Sequence, residues 1–331
     1  MEIFTALELC AGAGGQALGL EMAGFDHKGA VEIDKDACAT QRLNRPTWGT
    51  VQGDLRLFDP APYEGVDLVA GGVPCPPFSV AGKQLGKDDE RDLFPEAIRI
   101  VNSIRPKAVM LENVQGFGSS KFESYRNDIL TSLNDLGYLT FAKLLHASDY
   151  GVPQLRPRFI IIALKPEFAP YFSWPKINPK PVTVADAIGD LMIENGWTGV
   201  DQWMAQAQSI APTLVGGSKK HGGPDLGPTR AKKQWAALGV DGMGIANAAP
   251  SHDFDGNGMP RLTVRMAARI QGFPDSWQFS GKKTAQYRQV GNAFPPPVAK
   301  EVGLSILAAL KKDTPQKMPS TPVQPKFKFG A

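Results

Sequence analysis

The sequence predicts an α/β fold, in which a doubly wound, mostly parallel sheet is joined to a smaller and more irregular domain. Apolar runs bounded by turn residues alternate with stretches of helical spacing up to about residue 165. The runs are apolar at most positions, as in strands whose two faces are both covered by helices. The 331 residues, 42% of them apolar, are enough to build one large core or two modest ones.

Strands and helices are predicted to alternate from the N-terminus. The predicted strands lie at 3–10, 29–33, 66–70, 108–111, 138–145 and 159–164. The predicted helices lie at 16–23, 35–43, 93–104 and 122–136, where apolar residues recur at helical spacing. Sheets of this class bind ligands at the carboxyl ends of their strands, so functional side chains are expected in the turns that follow the strands.

The pattern changes along the chain and divides it into four segments. Residues 1–170 carry the alternation and form the first domain, whereas 171–260, punctuated by Pro, Gly and Trp, form a second, smaller one. Segment 261–310 contains two helical stretches, and we expect it to finish the second domain and return a C-terminal helix to the first. The last segment, 311–331, has four prolines and five lysines and is expected to be disordered.

Charge is distributed unevenly. Residues 1–100 contain 9 Lys and Arg against 16 Asp and Glu, a balance of −7, so the remaining residues sum to +10 to give the total of +3. A basic second half fits either a polyanionic partner or a solvated surface with a basic tail.

Composition also indicates the compartment. No apolar run approaches the roughly 18 residues of a membrane span, and the N-terminus lacks the basic start and apolar core of a signal peptide. Three scattered cysteines, Cys10, Cys38 and Cys75, are too few for a disulfide framework or a zinc site. The expectation is a reducing, cytoplasmic setting without a membrane partner.

A glycine-rich turn follows the first predicted strand and opens the first predicted helix. Gly12, Gly14 and Gly15 let the backbone approach a ligand closely, and the helix N-terminus presents unpaired N–H groups. Glu32 ends the second strand, where a carboxylate can accept hydrogen bonds from ribose hydroxyls, and Asp54 follows a third short strand. The motif fits either a nucleotide-type cofactor or a tight turn with two surface acids.

Two later strand ends carry groups suited to catalysis. Cys75 stands between prolines in Gly71-Gly-Val-Pro-Cys-Pro-Pro, where a rigid loop would present a nucleophile. Glu112 and Asn113 end the next strand, and burial there would raise the pKa of the carboxyl group and let it donate a proton. Taken alone, the cysteine could be structural, and the Glu-Asn pair could cap a turn.

Arginine and asparagine side chains mark two further sites. Arg156 and Arg158, two residues apart at the entry of a strand, point the same way and can bind phosphate or a carbonyl edge, although such pairs also form surface ion pairs. Asn292 lies just before the prolines that open the C-terminal helix, where it can bond a ligand or a neighbouring loop.

Taken together and in this order, the five motifs resemble the DNA cytosine-5 methyltransferases. The Ala81-Gly-Lys83 extension of the cysteine loop and the block at 261–274 also match. The resemblance covers nearly the whole chain outside about 170–260 and the tail. It implies a Rossmann-like methyltransferase fold.

The resemblance also implies a reaction. Such enzymes flip a cytosine out of the duplex, because C5 and C6 cannot be attacked within the stack. Cys75 would attack C6, and Glu112 would hold N3 and the exocyclic amine. Arg158, with Arg156 beside it, would anchor the base carbonyl and a nearby phosphate. The methyl donor would be S-adenosylmethionine, leaving S-adenosylhomocysteine, with no metal.

The resemblance implies two sets of binding residues. For the cofactor they are Cys10, Ala11, Gly12, Ala13, Gly14, Gly15, Glu32, Ile33, Asp54, Leu55, Gly72, Pro74, Leu93, Asn292 and Ala293. For DNA they are Ser79, Lys83, Asn113, Lys219, Lys220, Arg230, Lys232 and Lys233, five of them in the segment where the family recognises its target. The length of that segment implies a short recognised sequence.

Three positions depart from the family pattern. Pro76 stands where glutamine is common, Cys10 where a bulky aromatic side chain often faces the cofactor, and Ile33 where an aromatic ring often stacks on adenine. We expect these differences to alter affinity without abolishing methyl transfer.

Other functions are weighed against this one. A nicotinamide dehydrogenase would explain the glycine turn but neither the prolyl cysteine nor the arginine pair. An RNA (tRNA) cytosine-5 methyltransferase of the same fold, or a non-catalytic DNA-binding module, remains open. The implied partners are double-stranded DNA, with the protein nucleoid-associated, and a cognate restriction endonuclease; the expected state is a monomer.

Overall fold

The computed structural model describes residues 2–74, 92–177, 180–216, 225–254 and 258–313. Within these ranges seven strands form a single sheet in the order β3-β2-β1-β4-β5-β7-β6. The strands are β1 Phe4–Leu9, β2 Phe25–Glu32, β3 Thr50–Gln52, β4 Leu68–Gly71, β5 Ala108–Val114, β6 Leu139–His146 and β7 Pro157–Leu164.

The helices in the described ranges lie on both faces of the sheet and in the region that follows it. They are α1 Gly15–Ala23, α2 Lys35–Asn44, α3 Phe94–Ile104, α4 Glu123–Asp135, α5 Val184–Met192, α6 Val200–Gln206, α7 Thr229–Ala237, α8 Val264–Ile270, α9 Lys283–Asn292 and α10 Pro296–Lys311. None of them is both long and apolar enough to cross a membrane.

The predicted doubly wound, mostly parallel sheet is confirmed. Strands β3, β2, β1, β4 and β5 run parallel, and β7 pairs antiparallel with both β5 and β6. The chain leaves β1 toward β2 on one side and enters β4 on the other, so a crevice opens at the carboxyl end of β1, where such folds bind ligands.

Strand boundaries differ from the predicted ones for local reasons. β1 ends at Leu9 because Cys10 adopts a left-handed backbone with φ of 52°, which extended pairing does not allow. β2 begins four residues earlier than predicted, because its first half alternates buried and exposed positions instead of being apolar throughout. β5 runs on to Val114, which pairs with Arg158 of β7.

The two faces of the sheet are buried by different helices. Phe4 and Ala6 of β1 pack in the core that α10 covers, whereas Leu7 and Leu9 belong to the core on the side of α3. α10 lies directly on α1, so closely that a Cβ at Gly19 would come within 2.3 Å of the Pro296 carbonyl oxygen. The last helix of the described chain thus packs on the first.

A third core lies in the region from α5 to α9. It is built around the buried side chains of Ile188, Trp203, Trp235 and Tyr287, and it extends to Trp48 of the first half of the chain. α5 begins at a capping box formed by Thr183 and Asp186, which satisfies two backbone N–H groups at the start of the helix.

Candidate functional site

The carboxyl ends of β1, β2, β4 and β5 surround a cavity of about 320 Å³. A volume of this size lies within the range of about 300–1,000 Å³ that small-molecule sites occupy. Its walls combine the glycine turn after β1, the ends of β2, β4 and β5, and the C-terminal end of α9. The residues that form them are Glu8, Cys10, Ala11, Gly12, Ala13, Gln16, Val31, Glu32, Ile33, Asp34, Ala37, Gly53, Leu55, Gly72, Pro74, Glu112, Arg288, Gln289, Asn292, Ala293 and Phe294.

The three glycines of the turn have different roles. Gly12 borders the cavity with φ of +54°, and a Cβ there would meet nothing within 4 Å, so the backbone faces open space. Gly14, with φ of +83°, is the N-cap of α1 and lies against Trp48. A Cβ at Gly15 would come within 2.4 Å of the Phe294 carbonyl oxygen, so this glycine permits close packing instead of ligand contact.

Glu32 braces the glycine turn from the end of β2. Its Oε2 accepts a hydrogen bond from the Gly12 N–H and its Oε1 one from the Asp34 N–H, both at 2.7 Å. Burial raises the pKa of Glu32, and these backbone donors oppose the shift. Glu32 also lines the cavity, and a carboxylate can accept more than two hydrogen bonds.

Asp54 and Leu93 are not among the described residues that line the cavity, and their expected contact with a cofactor stays a prediction. Arg56 binds both carboxylate oxygens of Asp54 and is the main reason why the pKa of that carboxyl lies below its ordinary value. The neighbours of Asp54, Gly53 and Leu55, do line the cavity. Leu93 is the N-cap of α3 and packs against the core on that side.

Glu112 and Arg158 form a buried ion pair beside the cavity. The Arg158 Nε lies 2.7 Å from the Glu112 Oε1, and each side chain is only 12% exposed. The antiparallel register pairs Glu112 with Ile160, so Glu112 and Arg158 lie on the same face of neighbouring strands. Burial raises the pKa of Glu112, and the two nearby arginines, Arg158 first, oppose the shift.

The segment that leads to the predicted nucleophile is held by Asn113. The Asn113 Nδ2 donates to the Val73 carbonyl oxygen at 2.8 Å, and its Oδ1 accepts from the Val114 N–H. Asn113 is buried, so its side chain braces the β4 loop, in place of the expected DNA contact. Cys75, Ser79 and Lys83 lie outside the described residues.

Arg156 corrects the expectation that it binds a base or a phosphate. Its guanidinium is fully buried and donates to the carbonyl oxygens of Leu214 at 2.8 Å, Gly291 at 2.8 Å and Ala293 at 2.7 Å. Arg156 also has φ of 29°, an uncommon backbone for a residue with a side chain. It ties the loop before β7 to the end of α9 and to the segment that precedes α7.

The basic side chains expected to bind DNA divide into three groups. Arg230 and Lys233 of α7 are exposed, whereas Lys232 is half-buried and its Nζ lies 2.8 Å from the Asp225 Oδ2. Lys219 and Lys220 lie outside the described residues.

Five polar residues of the cavity wall were not predicted from the sequence, and one of them is Asp34, shortly after β2. Glu8 and Gln16 are buried, and Arg288 and Gln289 reach the wall from α9. A glutamate within the apolar run Phe4–Leu9 was the available signal for Glu8, because a carboxyl group is rarely buried in a strand without a purpose. No comparable signal in the sequence marked the two residues of α9.

Comparison with known proteins identifies the family of this chain. The profile of the C-5 cytosine-specific DNA methylase family matches residues 4–308. The Type II methyltransferase M.NaeI of Lentzea aerocolonigenes is 55% identical over 317 residues, which cover 95% of this chain and 77% of that protein. The Type II methyltransferase M.NgoMIV of Neisseria gonorrhoeae is 57% identical over 314 residues, which cover 94% and 99%.

Solved structures show the same fold. A triple mutant of Spodoptera frugiperda DNMT2 superposes with a TM-score of 0.65 at 20% identity, and the match covers 92% of this chain and 99% of that chain. The family profile and the two relatives cover almost the whole chain, including the strand ends that form the cavity and the Glu112–Arg158 pair. The chain therefore belongs to the C-5 cytosine-specific DNA methylase family.

Proposed function

We propose that this chain transfers a methyl group from S-adenosylmethionine to C5 of a cytosine within a short sequence of double-stranded DNA. The observation that carries the proposal is the buried Glu112–Arg158 pair, which lies beside a cavity formed by a glycine turn and the acid Glu32. Because the two relatives described above are named Type II methyltransferases, we propose that the reaction belongs to a restriction-modification system with a cognate endonuclease. The protein is proposed to act as a monomer.

The cavity fits the cofactor. Gly12 leaves open space at the turn, and the Glu32 carboxylate on the cavity wall is proposed to accept hydrogen bonds from the ribose hydroxyls. The residues proposed to hold the cofactor are Cys10, Ala11, Gly12, Ala13, Glu32, Ile33, Leu55, Gly72, Pro74, Asn292 and Ala293, all of which line the cavity. When bound, the cofactor supplies an electrophilic methyl group.

Glu112 and Arg158 are proposed to hold the flipped cytosine. Arg158 presents guanidinium donors to the base carbonyl, while the Glu112 carboxyl contacts N3 and the exocyclic amine. Burial raises the pKa of Glu112, so its carboxyl group holds a proton more readily than an exposed glutamate and is proposed to donate it to N3. Gly72 leaves room for the base, since a Cβ there would lie 3.1 Å from the Glu112 Oε2.

Cys75 is proposed as the nucleophile. Its thiolate forms a bond to C6 of the cytosine, and the electron pair of the C5–C6 double bond takes the methyl group at C5. A base then removes the C5 proton, the double bond reforms and the cysteine leaves. Asn113 supports this step through its hydrogen bond to Val73, two residues before the nucleophile.

The proposal is tested by incubating the protein with long, unmethylated duplex DNA and S-adenosylmethionine and mapping protected cytosines by bisulfite sequencing. Protection in one short context, absent with Cys75→Ser and retained with Cys38→Ser, is the expected result; Cys38 is a buried cysteine outside the cavity wall. Methylation of a transfer RNA but not of DNA would assign the chain to RNA instead. If neither substrate is methylated, the chain would instead be assigned as a non-catalytic DNA-binding module.

A further inference from the structure

Glu8 is a buried carboxyl group on the cavity wall. Its side chain is fully buried in β1, and neither carboxylate oxygen has a hydrogen-bond partner among the described residues. It nevertheless borders the same cavity as Glu32 and Glu112. A buried polar group that lacks a partner is costly, so one that faces a cavity indicates an interaction with whatever fills it.

Glu8 and Glu112 lie on the same face of the sheet. In the parallel register Glu8 is opposite Ala70, and Ala70 is opposite Met110, so Glu112 stands two residues further along β5. Gly72 follows Ala70 by the same two residues and has no side chain to separate the two carboxyl groups. Electrostatic repulsion between the Glu112 carboxylate and Glu8 therefore favours the protonated form of Glu8.

The charges around Glu8 do not neutralise a carboxylate. The other groups of the described cavity wall that can carry a negative charge are Glu112 on β5, Cys10 in the glycine turn, and Glu32 and Asp34 at the end of β2. Helix α1 presents the neutral Gln16. Arg158 is paired with Glu112, and Arg156 donates to three carbonyls. On α9, Arg288 faces Asp34, its Nη2 3.7 Å from the Asp34 Oδ2. The pKa of Glu8 is raised well above its ordinary value, mainly by burial and to a smaller extent by repulsion from Glu112.

The proposed cofactor brings the charge that this carboxyl lacks. S-adenosylmethionine carries a sulfonium and an ammonium group against one carboxylate, whereas the product S-adenosylhomocysteine has a neutral thioether. A cation in a cavity of low dielectric favours the ionised form of a neighbouring acid much more strongly than it would in water.

We propose that Glu8 holds a proton in the ligand-free protein and releases it to the solvent when the cationic cofactor binds. This inference rests on the proposed function, because it takes the methyl donor as the ligand of the cavity. Once the methyl group has left, the positive sulfur is gone and Glu8 takes up a proton again. Glu8 thereby distinguishes the methyl donor from the product and favours replacement of the product by fresh donor.

Isothermal titration calorimetry tests the proposal directly. S-adenosylmethionine and S-adenosylhomocysteine are titrated separately into the full chain at pH 7, in two buffers of different ionisation enthalpy, so that the difference in heat gives the number of protons released. We expect about one proton for the methyl donor and clearly fewer for the product. Affinity for the donor should accordingly increase with pH over the range below the pKa of Glu8, by up to about tenfold per pH unit.

Two variants separate the charge of Glu8 from the shape of the cavity. Glu8→Gln keeps the size of the protonated side chain and should reduce the released protons to near zero. Gln16→Met is the matched control, because it removes two buried polar atoms from the same cavity and no ionisable group. It should alter affinity while the proton number stays at the wild-type value.

The outcomes are distinguishable. Binding of the donor with equal heats in both buffers would overturn the role of Glu8 and leave the proposed function intact. The same proton number in Glu8→Gln as in the wild type would also overturn it, since another group would then be the source. Absence of binding by both ligands would overturn the cofactor assignment and the inference together. The donor–product comparison needs no variant, so the test holds even where a substitution impairs folding.

Discussion

The guanidinium of Arg156 donates to the carbonyl oxygen of Leu214 at 2.8 Å, across 58 positions of sequence. Gln154 binds the backbone N–H of the same residue, because its Oε1 accepts a hydrogen bond from the Leu214 N–H at 3.1 Å. The loop before β7 therefore holds the segment before α7 from both sides. The same arginine reaches Gly291 and Ala293, on either side of Asn292 at the cavity wall.

Replacing Arg156 by methionine should destabilise the whole protein. The change leaves three carbonyl oxygens buried without donors, and we expect the free energy of unfolding to fall by on the order of 3 kcal/mol or more. Urea denaturation followed by circular dichroism measures the loss. Arg42→Met is the control, because Arg42 is exposed and donates to one carbonyl; its effect should stay within about 0.5 kcal/mol. Equal losses in the two variants would contradict the bracing role.

Replacing Glu112 by glutamine should slow methyl transfer and spare the fold. Glutamine can still accept from Arg158 but cannot donate a carboxyl proton, so we expect the rate of a single turnover on duplex DNA to fall by about 10²- to 10⁴-fold. Glu64→Gln, an exposed glutamate away from the cavity, should leave the rate unchanged. A Glu112→Gln rate within a few fold of the wild type would remove the carboxyl proton from the mechanism.

Much of the sheet could be predicted because its strands are buried. A strand covered on both faces is apolar along its length, so β4, β5 and β7 were visible as apolar runs. β3 was expected only as a short strand before Asp54, and the first half of β2, with alternating exposure, was missed. Glu32 and Glu112 could be placed at the cavity because the carboxyl ends of parallel strands meet at one edge.

The roles of single side chains were harder to predict because they depend on distant partners. The sequence places Arg156 and Arg158 two residues apart and gives no reason to separate them. Only the fold shows that carbonyls from two distant segments surround Arg156, while Glu112 faces Arg158. Arg288 and Gln289 were missed for the same reason, because they lie more than 170 positions beyond the last strand that forms the cavity, β5.

Stability should depend on pH through Glu8. Its pKa is raised in the folded protein, so the stabilisation is fully present below the ordinary glutamate pKa and is lost as the pH rises toward the folded value. Relative to Glu8→Gln, the wild type should lose up to about 1.4 kcal/mol per pH unit in that window. Urea denaturation of both proteins at pH 5.5 and pH 8 measures the difference. A constant difference between the two pH values would show that Glu8 does not titrate there.

The exposed basic side chains of α7 should contact DNA phosphates. Arg230 and Lys233 are exposed, and neither has an ion pair among the described contacts, whereas the Lys232 ammonium already lies 2.8 Å from Asp225. Replacing Arg230 or Lys233 by alanine should therefore reduce the magnitude of the slope of log affinity against log salt concentration by about 0.9. This is the value of one lost phosphate contact on duplex DNA. Lys232→Ala should change the slope less.

Fluorescence anisotropy with a labelled duplex, measured between low and moderate salt, gives these slopes. Lys28→Ala is the control, because Lys28 lies in the first half of β2, before the strand end that borders the cavity, and its Nζ lies 2.6 Å from the Asp26 Oδ2. If Arg230→Ala and Lys233→Ala leave the slope at the wild-type value, α7 does not face the phosphates, and the electrostatic contacts to DNA must come from another surface.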